Sequence, residues 1–168
     1  MAHRYLIGAA LSGKKCTLTG IDFSEDILAS IDCLKALGAG ITADGDTVEI
    51  DPKGFMQADE AVLECRESGS TLRFFIPLAL CLGKDITFCG SKRLFSRPLD
   101  VYEKLCLERG FVFEKGKNSL KVFGKLEGGN YKIRGDISSQ FITGLLFVLP
   151  LMEEDSVIQL IPCLLYTS

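Results

Sequence analysis

The chain has no tryptophan, a single histidine, five prolines and no Cys-x-x-Cys pair, and its 19 Lys plus Arg are outnumbered by 22 Asp plus Glu. Each shortage removes a class of function. A net charge of −3 offers little to a phosphate backbone, so no nucleic-acid partner is expected. One histidine, His3, cannot complete a zinc ligand set. Cys16, Cys33, Cys65, Cys81, Cys89, Cys106 and Cys163 are too scattered to supply one, so no metal is expected. These cysteines are odd in number and mostly interrupt apolar runs, as reduced core thiols do. The longest apolar run, residues 141–152, contains Pro150 and falls short of the roughly 20 residues a membrane helix needs. Residues 5–11 are too short an apolar run for a secretory signal. No membrane partner is expected, and the expected location is cytoplasmic.

What the chain does have is 168 residues, 47% of them apolar, enough for one ordinary domain without a covalent staple. It also has an internal repeat. Three stretches share one plan: an apolar helical segment, a short charged turn and a β-prone strand. They occupy residues 4–11, 13–15 and 16–19; then 71–82, 83–85 and 86–89; then 141–151, 153–155 and 156–161. The turns begin at Gly13, Gly83 and Glu153, so the two intervals are equal, and Gly20 and Gly90 keep the same spacing.

Second helices lie between these stretches. Residues 25–37 end at Gly38 and lead into strands 40–43 and 47–50 around Asp44-Gly45; residues 99–109 end at Gly110 and lead into strands 111–114 and 120–123. The unit therefore reads helix, strand, helix, strand, strand. Ile27, Ala29, Ile31, Leu34 and Leu37 give the second helix type one apolar face, whereas the first type is apolar nearly all round and should be central. The expected fold is α/β, with helices packed inside sheets. By the same repeat, the counterpart of Glu67-Ser68-Gly69-Ser70 in the first unit falls before Met1, and the third unit stops after its first strand. The expectation is an incomplete domain over residues 1–161, about two and a half units starting mid-unit, with a foreign or frameshifted tail over 162–168.

Ser68-Gly69-Ser70 and Ser138-Ser139-Gln140 are separated by one such interval, each directly before a first-type helix. A helix N-terminus carries partial positive charge and free N–H groups, and small side chains let a phosphate or carboxylate approach them. The two motifs read as a pair of anion cradles or, more simply, as N-caps. Gln140 adds a neutral donor and acceptor. Arg97 precedes Pro98 at the start of a helix, where an anionic ligand would relieve its clash with the helix dipole; a solvated Arg97 is the simpler reading. Arg4 and Arg73 occupy equivalent first turns and could fork onto a phosphate or pair with a carboxylate.

Other features carry no function. Gly38-Ala39-Gly40-Ile41-Thr42-Ala43 matches a dinucleotide pattern in letters, but it follows a helix and opens a strand, so it is a C-cap. Ser12-Gly13-Lys14-Lys15 lacks the glycine loop of a nucleotide site. His3 reads as a solvated or capping side chain, and Glu64, Glu67, Glu153 and Glu154 as surface charge.

Arg4 with residues 5–11, Glu67-Ser68-Gly69-Ser70-Thr71-Leu72-Arg73, Arg97-Pro98 and Gly135-Asp136-Ile137-Ser138-Ser139-Gln140-Phe141 resemble the 3-phosphoshikimate 1-carboxyvinyltransferases, or EPSP synthases, over residues 1–161. The resemblance implies a two-domain fold in which each domain gathers three helix and strand units around a pseudo-threefold axis, so the second domain is absent here. It implies transfer of the enolpyruvyl group of phosphoenolpyruvate to the 5-hydroxyl of shikimate 3-phosphate, with no cofactor, by a whole enzyme that is monomeric. It implies that Ser138 and Ser139 hold shikimate 3-phosphate with help from Arg4, that Gln140 lies between the substrates, and that the Gly69 backbone and Arg97 hold phosphoenolpyruvate. The family's Ser-Lys-Ser motif would precede Met1, and its acid and base groups lie in segments outside this chain. No catalytic group is therefore expected here, and the chain alone is expected to be inactive. Two alternatives stand beside this reading. One is a sister of the same superfold, either another enolpyruvyl transferase or an RNA 3′-phosphate cyclase-like protein; the other is a non-catalytic anion-binding domain.

Overall fold

A computed structural model describes residues 1–57, 59–134 and 138–161. The expected tail, Cys163 and the Gly135-Asp136-Ile137 part of the family motif lie outside the described residues. The order is α1 (Ala2–Leu11), β1 (Cys16–Leu18), α2 (Glu25–Ala36), β2 (Gly40–Asp44), β3 (Thr47–Asp51), β4 (Glu60–Glu64), α3 (Gly69–Leu82) and β5 (Asp85–Cys89). There follow α4 (Lys92–Phe95), α5 (Asp100–Arg109), β6 (Val112–Lys115), β7 (Ser119–Phe123), β8 (Gly129–Arg134), α6 (Ser139–Val148), a short 3₁₀ turn (Leu149–Leu151) and β9 (Ser156–Ile161). None of the described helices is long and apolar enough to cross a membrane.

The repeat reappears as hydrogen-bond register. One sheet is ordered β1-β3-β2 and the next β4-β5-β7-β6. Cys16 pairs with Ile50 and Ile41 with the same Ile50; in the second unit Ile86 pairs with Val122 and Phe113 with the same Val122. Equivalent strands thus pair in the same order, the second hairpin displaced by two residues from the repeat interval, and β3 and β7 each point alternate side chains, Val48 and Ile50 or Leu120 and Val122, into the core.

Two strands lie outside the expected unit. β4 and β8 precede α3 and α6 and run parallel to β5 and β9, so each first-type helix is the crossover of a βαβ unit. Their signal is brief: only Leu63 in β4, and Tyr131 and Ile133 in β8, are fully inward. The four-residue α4 is also additional, capped by Ser91 Oγ, which accepts from Leu94 N.

Helix α3 is the centre of the core. Phe74, Phe75, Ile76, Leu78, Ala79 and Leu80 are all buried, so its apolar circumference has no solvent side. It ends at Gly83, whose φ of 65° is left-handed and closes the helix. Pro77 lies inside it and lacks an N–H, which leaves the carbonyl of Arg73, four residues earlier, without its helical donor. Tyr102 of α5 supplies one: its buried hydroxyl donates to Arg73 O at 2.8 Å and lies 3.1 Å from Phe141 O of α6. Gly144 makes room, because a Cβ there would stand 2.5 Å from Tyr102 Oη and 2.8 Å from Arg73 O. One phenol therefore joins α3, α5 and α6, with its ring edge-on to Phe141 at 4.9 Å.

Removing that hydroxyl in Tyr102→Phe leaves a buried carbonyl unpaired and should cost about 1–3 kcal/mol in urea unfolding, with the m-value unchanged.

Candidate functional site

The N-terminus of α3 is built by small residues. Ser68, fully buried, caps it by accepting from Thr71 N at 3.2 Å, and Gly69 follows with no side chain. The guanidinium of Arg97, carried on the turn between α4 and α5, fills the space a Gly69 Cβ would occupy, and Arg73 Nη1 lies 3.5 Å from the same point. Two cations therefore face one stretch of amide-rich backbone. Neither makes an ion pair among the described residues.

Arg73 is held from two sides. Its Nη1 donates to Gln140 Oε1 at 2.8 Å, its guanidinium carbon lies 5.2 Å from the Phe141 ring centre, and its buried Nε has no partner. Burial first, and the positive charge of Arg97 second, lower its affinity for the proton. Gln140 in turn donates from Nε2 to Ser70 Oγ at 2.7 Å. These bonds tie the first turn of α6 to the first turn of α3. Ser138 caps α6 by accepting from Gln140 N at 3.4 Å, and both Ser138 and Ser139 are exposed.

The sequence-derived residues therefore divide. Gly69 and Arg97 touch directly, Gln140 joins them through Arg73 and Ser70, and Ser138 and Ser139 open the helix that Gln140 belongs to. Arg4 is not bonded to any of them. Its guanidinium lies 5.4 Å from the Phe74 ring and 4.0 Å from Met1 Sδ. Ser68 and Ser138 do act as caps, the simpler of the two readings for those positions. His3 departs from expectation: it is half-buried, and its Nδ1 lies 2.7 Å from Ser30 Oγ of α2. Tyr102 and Ser30 support the site without any motif to announce them, since a helical tyrosine or hydroxyl looks like ordinary core or surface in one dimension, and Thr71 lies in the Glu67 to Arg73 motif, where the sequence assigns it no role.

The arrangement can hold anions. Like charges side by side in partly dehydrated surroundings are favourable only when a negative group lies between them, and fixed N–H groups at a helix start add to the same potential.

Comparison with known proteins fits this geometry. The family model of EPSP synthase (3-phosphoshikimate 1-carboxyvinyltransferase) matches residues 1–166. The chain belongs to the EPSP synthase family. It is 44% identical over 162 residues to the 3-phosphoshikimate 1-carboxyvinyltransferase of Clostridium kluyveri, and 42% identical over 159 residues to that of Clostridium perfringens. These alignments cover 95% and 93% of the chain but 38% of each relative, so the chain spans well under half the length of the curated relatives it matches. Two solved structures of EPSP synthase from Acinetobacter baumannii, 20% and 22% identical, share the fold with a TM-score of 0.77 over 95% of the chain.

Because Arg73 and Arg97 repel in the absence of a ligand, Arg97→Gln should raise the melting midpoint at low ionic strength by about 1–3 °C, and the gain should vanish in roughly 1 M salt.

Proposed function

We propose that this chain carries the phosphate-handling half-site of a 3-phosphoshikimate 1-carboxyvinyltransferase. The whole enzyme moves the enolpyruvyl group of phosphoenolpyruvate to the 5-hydroxyl of shikimate 3-phosphate and releases inorganic phosphate. The observation that carries this reading is the Arg97 guanidinium lying against Gly69, with Arg73 beside the same point and bonded to Gln140. It brings the two family motifs to one place with their cationic and amide donors unopposed by carboxylates in ion pairs among the described residues.

In this reading the Gly69 backbone and Arg97 hold phosphoenolpyruvate, Ser138 and Ser139 hold the phosphate of shikimate 3-phosphate, and Gln140 stands between the two substrates. Arg4 reaches the second substrate by swinging from the Phe74 face, a small movement for a long side chain held there by a weak contact. The chemistry gains from this placement. Two anionic molecules that repel in water are held together by fixed donors, so their encounter no longer costs translational freedom. The negative charge of the phosphate and carboxylate carried by the tetrahedral carbon is met by groups that need not reorganise. Protonating the methylene carbon and deprotonating the 5-hydroxyl require an acid and a base beyond these residues. The chain is therefore proposed to bind without turning over.

Isothermal titration of the chain with shikimate 3-phosphate should give saturable binding, and no product should form when phosphoenolpyruvate is added. Ser139→Ala should weaken binding of shikimate 3-phosphate, and Arg97→Ala that of phosphoenolpyruvate, each by about ten- to a hundredfold, the range for a hydrogen bond to a charged group. Gly69→Ala, whose new methyl displaces the Arg97 guanidinium rather than backbone, should reproduce the Arg97→Ala loss without unfolding the chain. Affinities unchanged in all three variants would refute the assignment.

A further inference from the structure

The buried polar residues identified among the described positions are Ser30, Ser68 and Thr71, exposed by 0%, 1% and 0%. They are consecutive links of one chain of hydrogen bonds. His3 Nδ1 lies 2.7 Å from Ser30 Oγ, Ser30 Oγ lies 2.8 Å from Thr71 Oγ1, and Thr71 Oγ1 donates to Ser68 Oγ at 2.8 Å. The chain begins on α1, crosses α2 and ends at the cap of α3, one residue before Gly69.

Its polarity follows from counting protons. Thr71 has one hydroxyl proton, and Ser68 Oγ, the carbonyl of Asp26 at 3.3 Å and Ser30 Oγ all face it; every bond of the chain forms at once only when that proton goes to Ser68. Ser30 must then be the donor to Thr71, and with its proton so committed it must accept from His3. The ring nitrogen facing Ser30 is therefore the protonated one. If His3 instead presented a bare Nδ1, Ser30 would turn its proton toward the ring, Thr71 would lose a donor, and the bond pinning Ser68 would no longer be fixed. The oxygen of Ser68, accepting from both Thr71 N and Thr71 Oγ1, keeps the first turn of α3 in the orientation that sets Gly69 against Arg97.

We infer that His3 is a positioning residue: as the Nδ1–H tautomer, and acting through Ser30 and Thr71, it fixes the Ser68 cap and so the α3 turn that presents Gly69, beside Arg97, to an anion. The groups around the ring are consistent with a neutral imidazole. Burial is the largest influence and lowers its proton affinity; Asp26 of α2 opposes this, while the N-terminal amine and Arg4 of α1 reinforce it. The edge of the ring meets Phe74 of α3 at 6.1 Å, an apolar neighbour that offers no competing hydrogen bond. The consequence for anion binding rests on the proposed function; the tautomer and the state of the α3 turn do not.

The test separates the two. Nitrogen-15 NMR of the histidine-labelled chain at neutral pH should show Nδ1 protonated and Nε2 bare; the opposite tautomer overturns the inference. Thr71→Val keeps the shape and breaks the relay, whereas Thr71→Ser restores the hydroxyl. The valine variant should shift the Gly69 and Ser70 amide resonances and lose the fixed His3 tautomer, and the serine variant should retain both. With inorganic phosphate as probe, Thr71→Val should bind about three- to tenfold more weakly and Thr71→Ser within about twofold of the parent, as expected for one hydrogen bond. Valine and serine variants that behave alike in the tautomer and amide spectra overturn the relay. A parent chain that fails to bind phosphate refutes the proposed function instead, and the spectra still decide the relay.

Discussion

Burying a helix on every side leaves hydrogen bonds to be found at its ends and at any break within it, and α3 is such a helix. Its first turn is capped by Ser68, whose buried oxygen accepts from Thr71 N and Thr71 Oγ1. Its carbonyl at Arg73, orphaned by Pro77, cannot turn to water, so Tyr102 reaches in from α5. Both solutions draw in neighbouring helices: α1 and α2 through His3 and Ser30, α5 and α6 through Tyr102 and Gly144. The same demand that stabilises the core thereby fixes where the α3 N-terminus points and what stands beside it.

That placement explains the electrostatics of the site. Arg73 and Arg97 are drawn together by packing, since one is anchored on α3 under Phe141 and Gln140 while the other sits on the turn after α4 against a glycine. Their mutual repulsion is a cost that an anion held between them would relieve, as the proposed function requires. A folded protein tolerates such a cost when the rest of its core is well packed.

The repeat was legible because it is written in spacing. Apolar segments, charged turns and glycines recurring at one constant interval mark equivalent elements, and the registers at Ile50 and Val122 repeat the same pairing two residues beyond that interval. The strands β4 and β8 were harder to read because each is short and offers only one or two inward side chains, too little alternation to stand out beside longer apolar helices. Even so, Leu63 and Ile133 are separated by that same interval, so the repeat itself contained the clue.

Local sequence determined the elements, the central role of the apolar helices, and the small residues at the helix starts where anions could be met, because periodicity, capping and glycine conformation act over a few residues. Tertiary structure alone decided that Arg73 bonds Gln140, that Arg97 rests on Gly69 while Arg4 stays apart, and that His3 enters a buried relay. Those outcomes depend on the relative placement of helices far apart in the chain, which is set by packing of the whole core and by the need to pair most polar atoms caught inside it.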